Sequence, residues 1–335
     1  MARLRKFPLS LLPVFWHGHR PWKVAHYCEP GRKDLSRFLG SLQRRRLMDS
    51  ANRASSSLIK NKLCFPALLG RHAHLVPENI GFLKDGRCYD LRQGGFDPVD
   101  PLALLADFGG DVVVKPVDGM QSLGVHFVSL RDGVPLLDGT PLGSQQLIAL
   151  ADPQGSIICR RVEQHPDLAR IFPDALMTVR VLSFFDDLTG RGHVLNSFVR
   201  IGTRQSAPFE AAARGGRVAN FDFATGRLEG MLELGKLGYF GQTPRRYLDN
   251  HPDTGQRVAG VTLPNWPTVR DAVQGLIDEL PLFEFIGWDI VITTDGFAIL
   301  EANTRPFLEY QQYFTPLLDH PQFRAFLVRR GIVPG

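Results

Sequence analysis

The stretch "WDIVITTDGFAILEAN", Trp288 to Asn303, decides how this chain reads. Two β-rich runs flank an Asp-Gly dipeptide, a strong hairpin signal. Loop length then sets the chemistry. A two-residue loop, Asp295-Gly296, puts Thr294 against Phe297 and Asp289 against Ala302, so Asp289 and Glu301 point to opposite faces. A three-residue loop, Thr294-Asp295-Gly296 with Gly296 left-handed, puts Thr293 against Phe297. Asp289 then lies across from Glu301, with Cβ atoms about 5 Å apart. Asn303 shares their face, because side chains repeat every two residues. Three oxygen-bearing side chains on one face suit a hard divalent cation, Mg²⁺, with substrate phosphates completing its shell. Two carboxylates that close repel each other without a cation. The competing reading is a solvent-facing acidic edge, for which Ile290, Val291, Ile292, Ile299 and Leu300 are too apolar.

Upstream, "VVVKPVDGMQSLGVHFVSL" (Val112 to Leu130) sets a lysine inside a β-run, ahead of a glycine-bearing turn and a second β-run. A P-loop has the opposite order, glycines first. Lys115 sits in an otherwise apolar run and must find an anion there. Gly119, Ser122 and Gly124 occupy the turn, where glycines let backbone N–H groups approach phosphate oxygens. Lys115 thus reads as a fixed charge on a strand, and Gly119 to Gly124 as the tip of a mobile lid.

The rest of the chain supplies a frame. Prolines 8, 13, 21 and 30 break the beginning, and helical periodicity runs from Asp34 to Leu69. Residues 74–91 read as a hairpin around Lys84-Asp85-Gly86-Arg87, and "PLALLADFGG" as a helix stopped by its glycine pair. "SIICRRV" (156–162) is a strand, followed by a short helix opened by Pro166. Strands are expected in "LMTVRVLSFF", "GHVLNSFVRIG" and "GGRVANFDFATGRLEGMLEL". Helices are expected in "NWPTVRDAVQGLIDELPLF", capped by Asn265 or Thr268, and in "QFRAFLVRRGI". Without a regular βαβ alternation, the fold class is α+β with two lobes. The expected domains are a basic, mainly helical region 1–75, a small lobe 76–160 with the lid, and a large lobe 161–335.

Composition sets the outer limits. The 335 residues are 44% hydrophobic and 22% charged, as in a globular enzyme. No run of 18 apolar residues exists to span a membrane. Two prolines interrupt the apolar stretch after Met1 and no small-residue cleavage site follows, which argues against a secretory leader and for a cytoplasmic protein. Cys28, Cys64, Cys88 and Cys159 are scattered and read as free thiols. Residues 1–62 hold 14 Lys and Arg against three acids, and the remainder holds 25 against 31. The basic end, "RFLGSLQRRRLMDSANR", reads as a solvated helix; its arginines lack the interleaved aromatics of a nucleic-acid platform. His17, His19 and His26 show no metal spacing, and His165 suits capping or packing.

Lysine strand, glycine loop and the later Asp…Glu-x-Asn hairpin together resemble the ATP-grasp superfamily. Within it, "VEQHPDLARIFPDALMTVRVLSF" and "GWDIVITTDGFAILEAN" resemble the sugar-transfer-associated ATP-grasp proteins, relatives of the alpha-L-glutamate ligases, over about residues 60–310. The resemblance implies two α+β lobes enclosing ATP, and a carboxylate that attacks the γ-phosphate to give an acyl phosphate. An amine or hydroxyl then displaces phosphate. By matching position, Lys62 and Lys115 would hold α- and β-phosphate oxygens. The hinge Arg160-Arg161-Val162-Glu163 would offer its backbone to adenine, with Glu163 on adenine or ribose. Asp289, Glu301 and Asn303 would bind Mg²⁺, as two ions that Mn²⁺ can replace. The partners implied are a small carboxylate and an amine or hydroxyl acceptor, an amino acid or a sugar-linked compound, with no nucleic acid.

Three arginines remain. Arg180 and Arg200 sit on apolar strands, where a bidentate fork suits a reacting phosphate or acyl phosphate. The alternative is a structural ion pair. Arg305, two residues past Asn303, suits a substrate carboxylate, or is simply exposed. One departure stands out: related proteins tend to carry an Asp-Asn pair before the paired glycines that follow the second arginine strand. Here "SAPFEAAARGG" keeps Gly215-Gly216 and lacks that pair, which puts the acceptor in doubt. Two alternatives to the ligase use the same residues: an ATP-grasp kinase, and a non-catalytic nucleotide- or nucleic-acid-binding protein.

Overall fold

The computed structural model describes residues 34–119, 122–233 and 246–335. The leader-like start, Cys28 and the N-terminal histidines lie outside the described residues. Two antiparallel sheets and short helices give the α+β class read from the sequence.

The first sheet has eight strands: β1 Asn79–Lys84, β2 Arg87–Asp90, β3 Asp97–Val99, β4 Val112–Pro116, β5 His126–Arg131, β6 Val134–Leu137, β7 Thr140–Pro141 and β8 Ser156–Arg160. Their spatial order is β3-β2-β1-β8-β4-β5-β6-β7. The second has seven: β9 Thr178–Asp186, β10 Arg191–Ile201, β11 Arg217–Phe221, β12 Leu228–Glu233, β13 Arg246–Leu248, β14 Phe285–Thr293 and β15 Gly296–Asn303, ordered β13-β12-β11-β10-β9-β14-β15. The helices are α1 Ser41–Ser50, α2 Ser56–Lys60, α3 Phe65–Leu68, α4 Pro101–Phe108, α5 Ser144–Ile148, α6 Pro166–Ala169, α7 Trp266–Glu279, α8 Glu309–Phe314 and α9 Pro321–Arg329.

The chain forms two compact units, neither contiguous. One comprises the described residues up to Ser55 with Asp167–Trp288 and Asn303–Gly335; the other comprises Ser56–Pro166 with Asp289–Ala302. Each has its own apolar core. In the first unit Phe184, Phe285, Phe323, Phe326 and Leu327 are all fully buried, and each such side chain contributes about 1.5–3 kcal/mol. In the second, Ile80, Leu83, Val112, Val114, Val128 and Ile158 pack one sheet face against Leu104 and Leu105 of α4 and Leu147 of α5.

The helical stretch from Asp34 to Leu69 is broken. Asn52 is left-handed (φ +55°) and buried, and its Nδ2 donates to the Phe285 carbonyl at 2.7 Å. A tertiary hydrogen bond thus ends the run that periodicity would continue. A second break follows at Asn61, whose Oδ1 accepts from the Leu63 and Cys64 N–H groups. Two strands are shorter than their apolar runs: β5 starts at His126, and β8 stops at Arg160, where the chain leaves the sheet. Asn265 does precede α7, but in a left-handed conformation and with no side-chain cap. Cys64, Cys88 and Cys159 are free, and burial pushes the Cys88 thiol up to about 12, which makes it unreactive. No helix among the described residues is long and apolar enough to cross a membrane.

Candidate functional site

The site grows from the face of the eight-stranded sheet that turns away from α4 and α5. Lys115 on β4 stands across from Ile157 on β8, and Val113 across from Cys159. Phe82 on β1 is across from Ile157, and Phe127 on β5 across from Val113. Directly paired residues share a face, so all these side chains line the face opposite the α4 and α5 core. Val117, Ile157 and Cys159 are buried there and pack with Leu63, Phe82 and Val113. An apolar floor therefore ends in a charged row.

That row is Lys62 and Lys115. Lys62 follows α2, and its backbone N–H donates to the Val117 carbonyl at 2.9 Å, which fastens it beside β4. Its ammonium donates to the Gly119 carbonyl at 3.1 Å, at the start of the glycine turn. Burial pushes Lys62 below the ordinary 10.5 of a lysine. The Glu301 carboxylate opposes that shift, the neighbouring Lys115 adds to it, and Asp118 opposes it. Lys115 and Glu301 are thus both within electrostatic reach of Lys62. The Lys115 ammonium makes no hydrogen bond or ion pair among the described residues. Two ammonium groups side by side against an apolar floor, beside a carboxylate, match the charge pattern of a polyphosphate with its cation.

The turn beyond Gly119 folds back on Pro116. Gly124 has φ +68°, and a Cβ there would lie 2.9 Å from the Pro116 ring. Ser122 is also left-handed, at φ +56°. Met120 and Gln121 of the lid tip lie outside the described residues.

At the far end of β8 the chain runs without regular structure from Arg161 to His165. Arg160 N–H donates to the Glu78 carbonyl and Arg161 N–H to the Asp111 carbonyl. The Arg160 side chain pairs with Glu78 at 2.9 Å and lies over Phe108; Arg161 pairs with Asp111 at 3.5 Å and lies over Phe127. Both guanidinium groups are spent on packing the hinge. Neither Val162 nor Glu163 makes a hydrogen bond to another described residue. The hinge is anchored to the acidic hairpin, since His165 N–H donates to the Ile292 carbonyl at 2.8 Å.

In the hairpin, Gly296 carries φ +143°, while Thr294 and Asp295 keep negative φ. A two-residue type I′ loop at Asp295-Gly296 needs both residues left-handed, which these dihedrals exclude; β14 ends at Thr293 and β15 begins at Gly296, so Thr294 and Asp295 join the strands. Asp289 is buried to 1% exposure, whereas Glu301 and Asn303 are partly exposed. Among the described residues no three His, Cys, Asp or Glu side chains gather as a metal site.

The arginines belong to the first unit. Arg180 is buried, with its side chain running past Gly287. Arg200 pairs with Glu210 at 2.9 Å and donates to Thr178 at 2.9 Å. Arg305 is exposed and pairs with Asp49. The sequence pointed to both lysines but not to the apolar floor of Leu63, Val113, Val117, Ile157 and Cys159. The alternation Val113-Lys115-Val117 was a usable signal, because it sets two valines on the lysine's own face.

Residues 42–316 match the family described as sugar-transfer associated ATP-grasp. Among solved structures, the ATP-grasp ligase PsnB complexed with a phosphomimetic minimal precursor, Mg and ADP is 15% identical, with a TM-score of 0.39 over 83% of this chain and 60% of that one. D-alanyl-alanine synthetase A from Vibrio cholerae is 12% identical, with a TM-score of 0.43 over 85% of this chain and 67% of that one. The ADP complex of purK, N5-carboxyaminoimidazole ribonucleotide synthetase, is 12% identical, with a TM-score of 0.42 over 79% of this chain and 53% of that one. The chain thus spans less than two thirds of the PsnB and purK chains. No curated protein matches the sequence.

Proposed function

Because the chain belongs to the sugar-transfer-associated ATP-grasp family, we propose that it is an ATP-dependent, ADP-forming ligase that joins a carboxylate to an amine or hydroxyl. The observation that carries this reading is the gathering of Lys62, Lys115 and Glu301 at the end of an apolar sheet face. Adenine would rest on Leu63, Val113, Val117, Ile157 and Cys159, with the Val162 and Glu163 backbone facing its polar edge. Lys62 and Lys115 would hold phosphate oxygens, and Gly119, Ser122 and Gly124 would offer backbone N–H groups. Asp289, Glu301 and Asn303 would hold Mg²⁺, which when bound neutralises charge on the transferred phosphoryl group.

The substrate carboxylate oxygen attacks the γ-phosphorus and the bond to ADP breaks, giving an acyl phosphate. Arg180 would donate to its phosphoryl oxygens. The nucleophile then attacks the acyl carbon, loses its proton, and inorganic phosphate leaves. An ADP-release screen over paired pools of amino acids and sugar acids, with Glu301→Ala as the blank, tests this. The expected result is ADP and phosphate only when carboxylate and nucleophile are both present, with a condensed product. A stable phosphorylated small molecule without condensation would replace the ligase by a kinase.

A further inference from the structure

Helix α1 takes no part in the site above, yet it carries a large share of the chain's basic excess. Leu47 is fully buried and Met48 packs with the same core, which fixes the inward side of the helix. Arg44 also turns inward, to Glu309 at 3.1 Å. Leu42, Arg45, Arg46 and Asp49 are exposed. Their spacing puts them together on the outward side, since residues three and four apart are neighbours on a helix. Leu42 is 58% exposed, and the Arg45 side chain 78%. Asp49 pairs with Arg45 at 3.6 Å and also with exposed Arg305, so one carboxylate answers two guanidinium groups. Arg46, and Arg53 just past the helix, are exposed as well and add to the excess. All of these residues belong to the first unit.

A basic stripe alone is an ordinary solvated face. Two further observations set this one apart. A leucine stands exposed within the stripe. The sequence directly ahead, residues 1–33, holds seven Lys and Arg against the single acid Glu29, together with Phe7, Phe15, Trp16, Trp22 and Tyr27. Arginine and lysine gain from the negative potential of an anionic lipid surface, and Trp, Tyr, Phe and Leu suit the boundary between headgroups and acyl chains. A nucleic acid would use the same arginines, but Leu9, Leu11, Leu12 and Leu42 gain nothing from a phosphate backbone. We propose that α1 and the sequence preceding it form a docking surface for an anionic lipid bilayer. Arg45, Arg46 and Arg53 meet lipid phosphates there, and Leu42 and the aromatic side chains enter the headgroup boundary. The inference does not depend on the ligase reading.

The test uses the full chain and vesicles of phosphatidylcholine, with or without phosphatidylglycerol. Cosedimentation is expected only when phosphatidylglycerol is present. It is expected to fall as salt rises from about 0.1 M to about 1 M, where the screening length shrinks from about 10 Å to about 3 Å. Trp266 and Trp288 are buried, at 0% and 1% exposure, so a vesicle-induced shift of tryptophan emission to shorter wavelength reports Trp16 and Trp22. That shift is expected in the unaltered chain and is lost in Trp16→Phe/Trp22→Phe. Arg45→Ser/Arg46→Ser is expected to bind the anionic vesicles roughly thirtyfold more weakly, at about 1 kcal/mol for each arginine near the surface. Arg45→Lys/Arg46→Lys keeps the charge and is expected to stay within about twofold. Thermal unfolding checks that the serine variant folds; if it does not, Arg45→Gln/Arg46→Gln carries the same expectation. Binding that ignores phosphatidylglycerol, or that survives in full without Arg45 and Arg46, overturns the inference. So does a chain that retards duplex DNA or RNA in a gel while anionic vesicles sediment without it, which would assign the surface to nucleic acid.

Discussion

Lys62 is the residue on which physical chemistry presses hardest. Its ammonium loses a proton below 10.5 because burial and Lys115 disfavour its charge more than Glu301 and Asp118 favour it. Nucleotide phosphates would restore that charge, so binding takes up a proton. Affinity for ATP is therefore full while Lys62 is protonated in the free protein, and falls as pH rises through its lowered pKa. Titrations between pH 7 and pH 10 are expected to show this fall in the unaltered protein and to lose it in Lys62→Met. Lys115→Met is expected to weaken ATP by roughly tenfold or more, since a charge-assisted contact contributes about 1.5–3 kcal/mol. At this scale the sequence was informative where a charge stood in an apolar run, as Lys115 does. It was silent on Glu210, because nothing in "APFEAAA" marks an exposed-looking glutamate as the partner of an arginine ten residues earlier.

Among the elements, the β14–β15 hairpin was legible because Asp-Gly between alternating apolar runs is a strong turn signal, while the turn itself falls on Thr294 and Asp295. The helical stretch before Leu69 was not, because Asn52 ends it through a bond to a residue 233 positions away. Gly155 shows a packing constraint of the same hidden kind. It has φ +105°, and a Cβ there would sit 2.7 Å from the Phe82 ring. Gly155→Ala is expected to lower stability by about 1–3 kcal/mol, read from denaturant midpoints, through backbone strain and displacement of that ring. Helix α9 carries a pH dependence. The His320 Nδ1 accepts from the Phe323 N–H, beside His193 and edge-on to Phe184. Burial first, and His193 second, push His320 below its ordinary 6.5. The unfolded chain then binds a proton that the folded one refuses. Stability is complete above pH 6.5 and falls as pH drops from there through the lowered value. His320→Asn keeps a cap and is expected to flatten that fall in thermal unfolding between pH 7 and pH 5.

The whole molecule is two units that each borrow sequence from distant parts of the chain: the acidic turn of β14 and β15 is counted with Ser56–Pro166, and the ends of the same strands with the other unit. Linear reading found the α+β class from the irregular alternation of strands and helices, but a contiguous boundary could not express this exchange. The Lys62–Lys115–Glu301 cluster depends on it, since Glu301 is 186 residues beyond Lys115 in the chain and within the same unit. A nucleotide bound there links both segments, and at 100 times its dissociation constant it would add about 2.7 kcal/mol of stability. The measurement that tests the central claim most directly is a calorimetric titration with Mg²⁺ and a non-hydrolysable ATP analogue, made on the unaltered chain, Lys115→Met and Glu301→Ala. The expected result is Mg²⁺-dependent binding by the unaltered protein, weakened roughly tenfold or more in both variants, each of them still folded. Equal affinity in all three proteins would contradict the account, because a nucleotide bound elsewhere would not register the loss of these two charges.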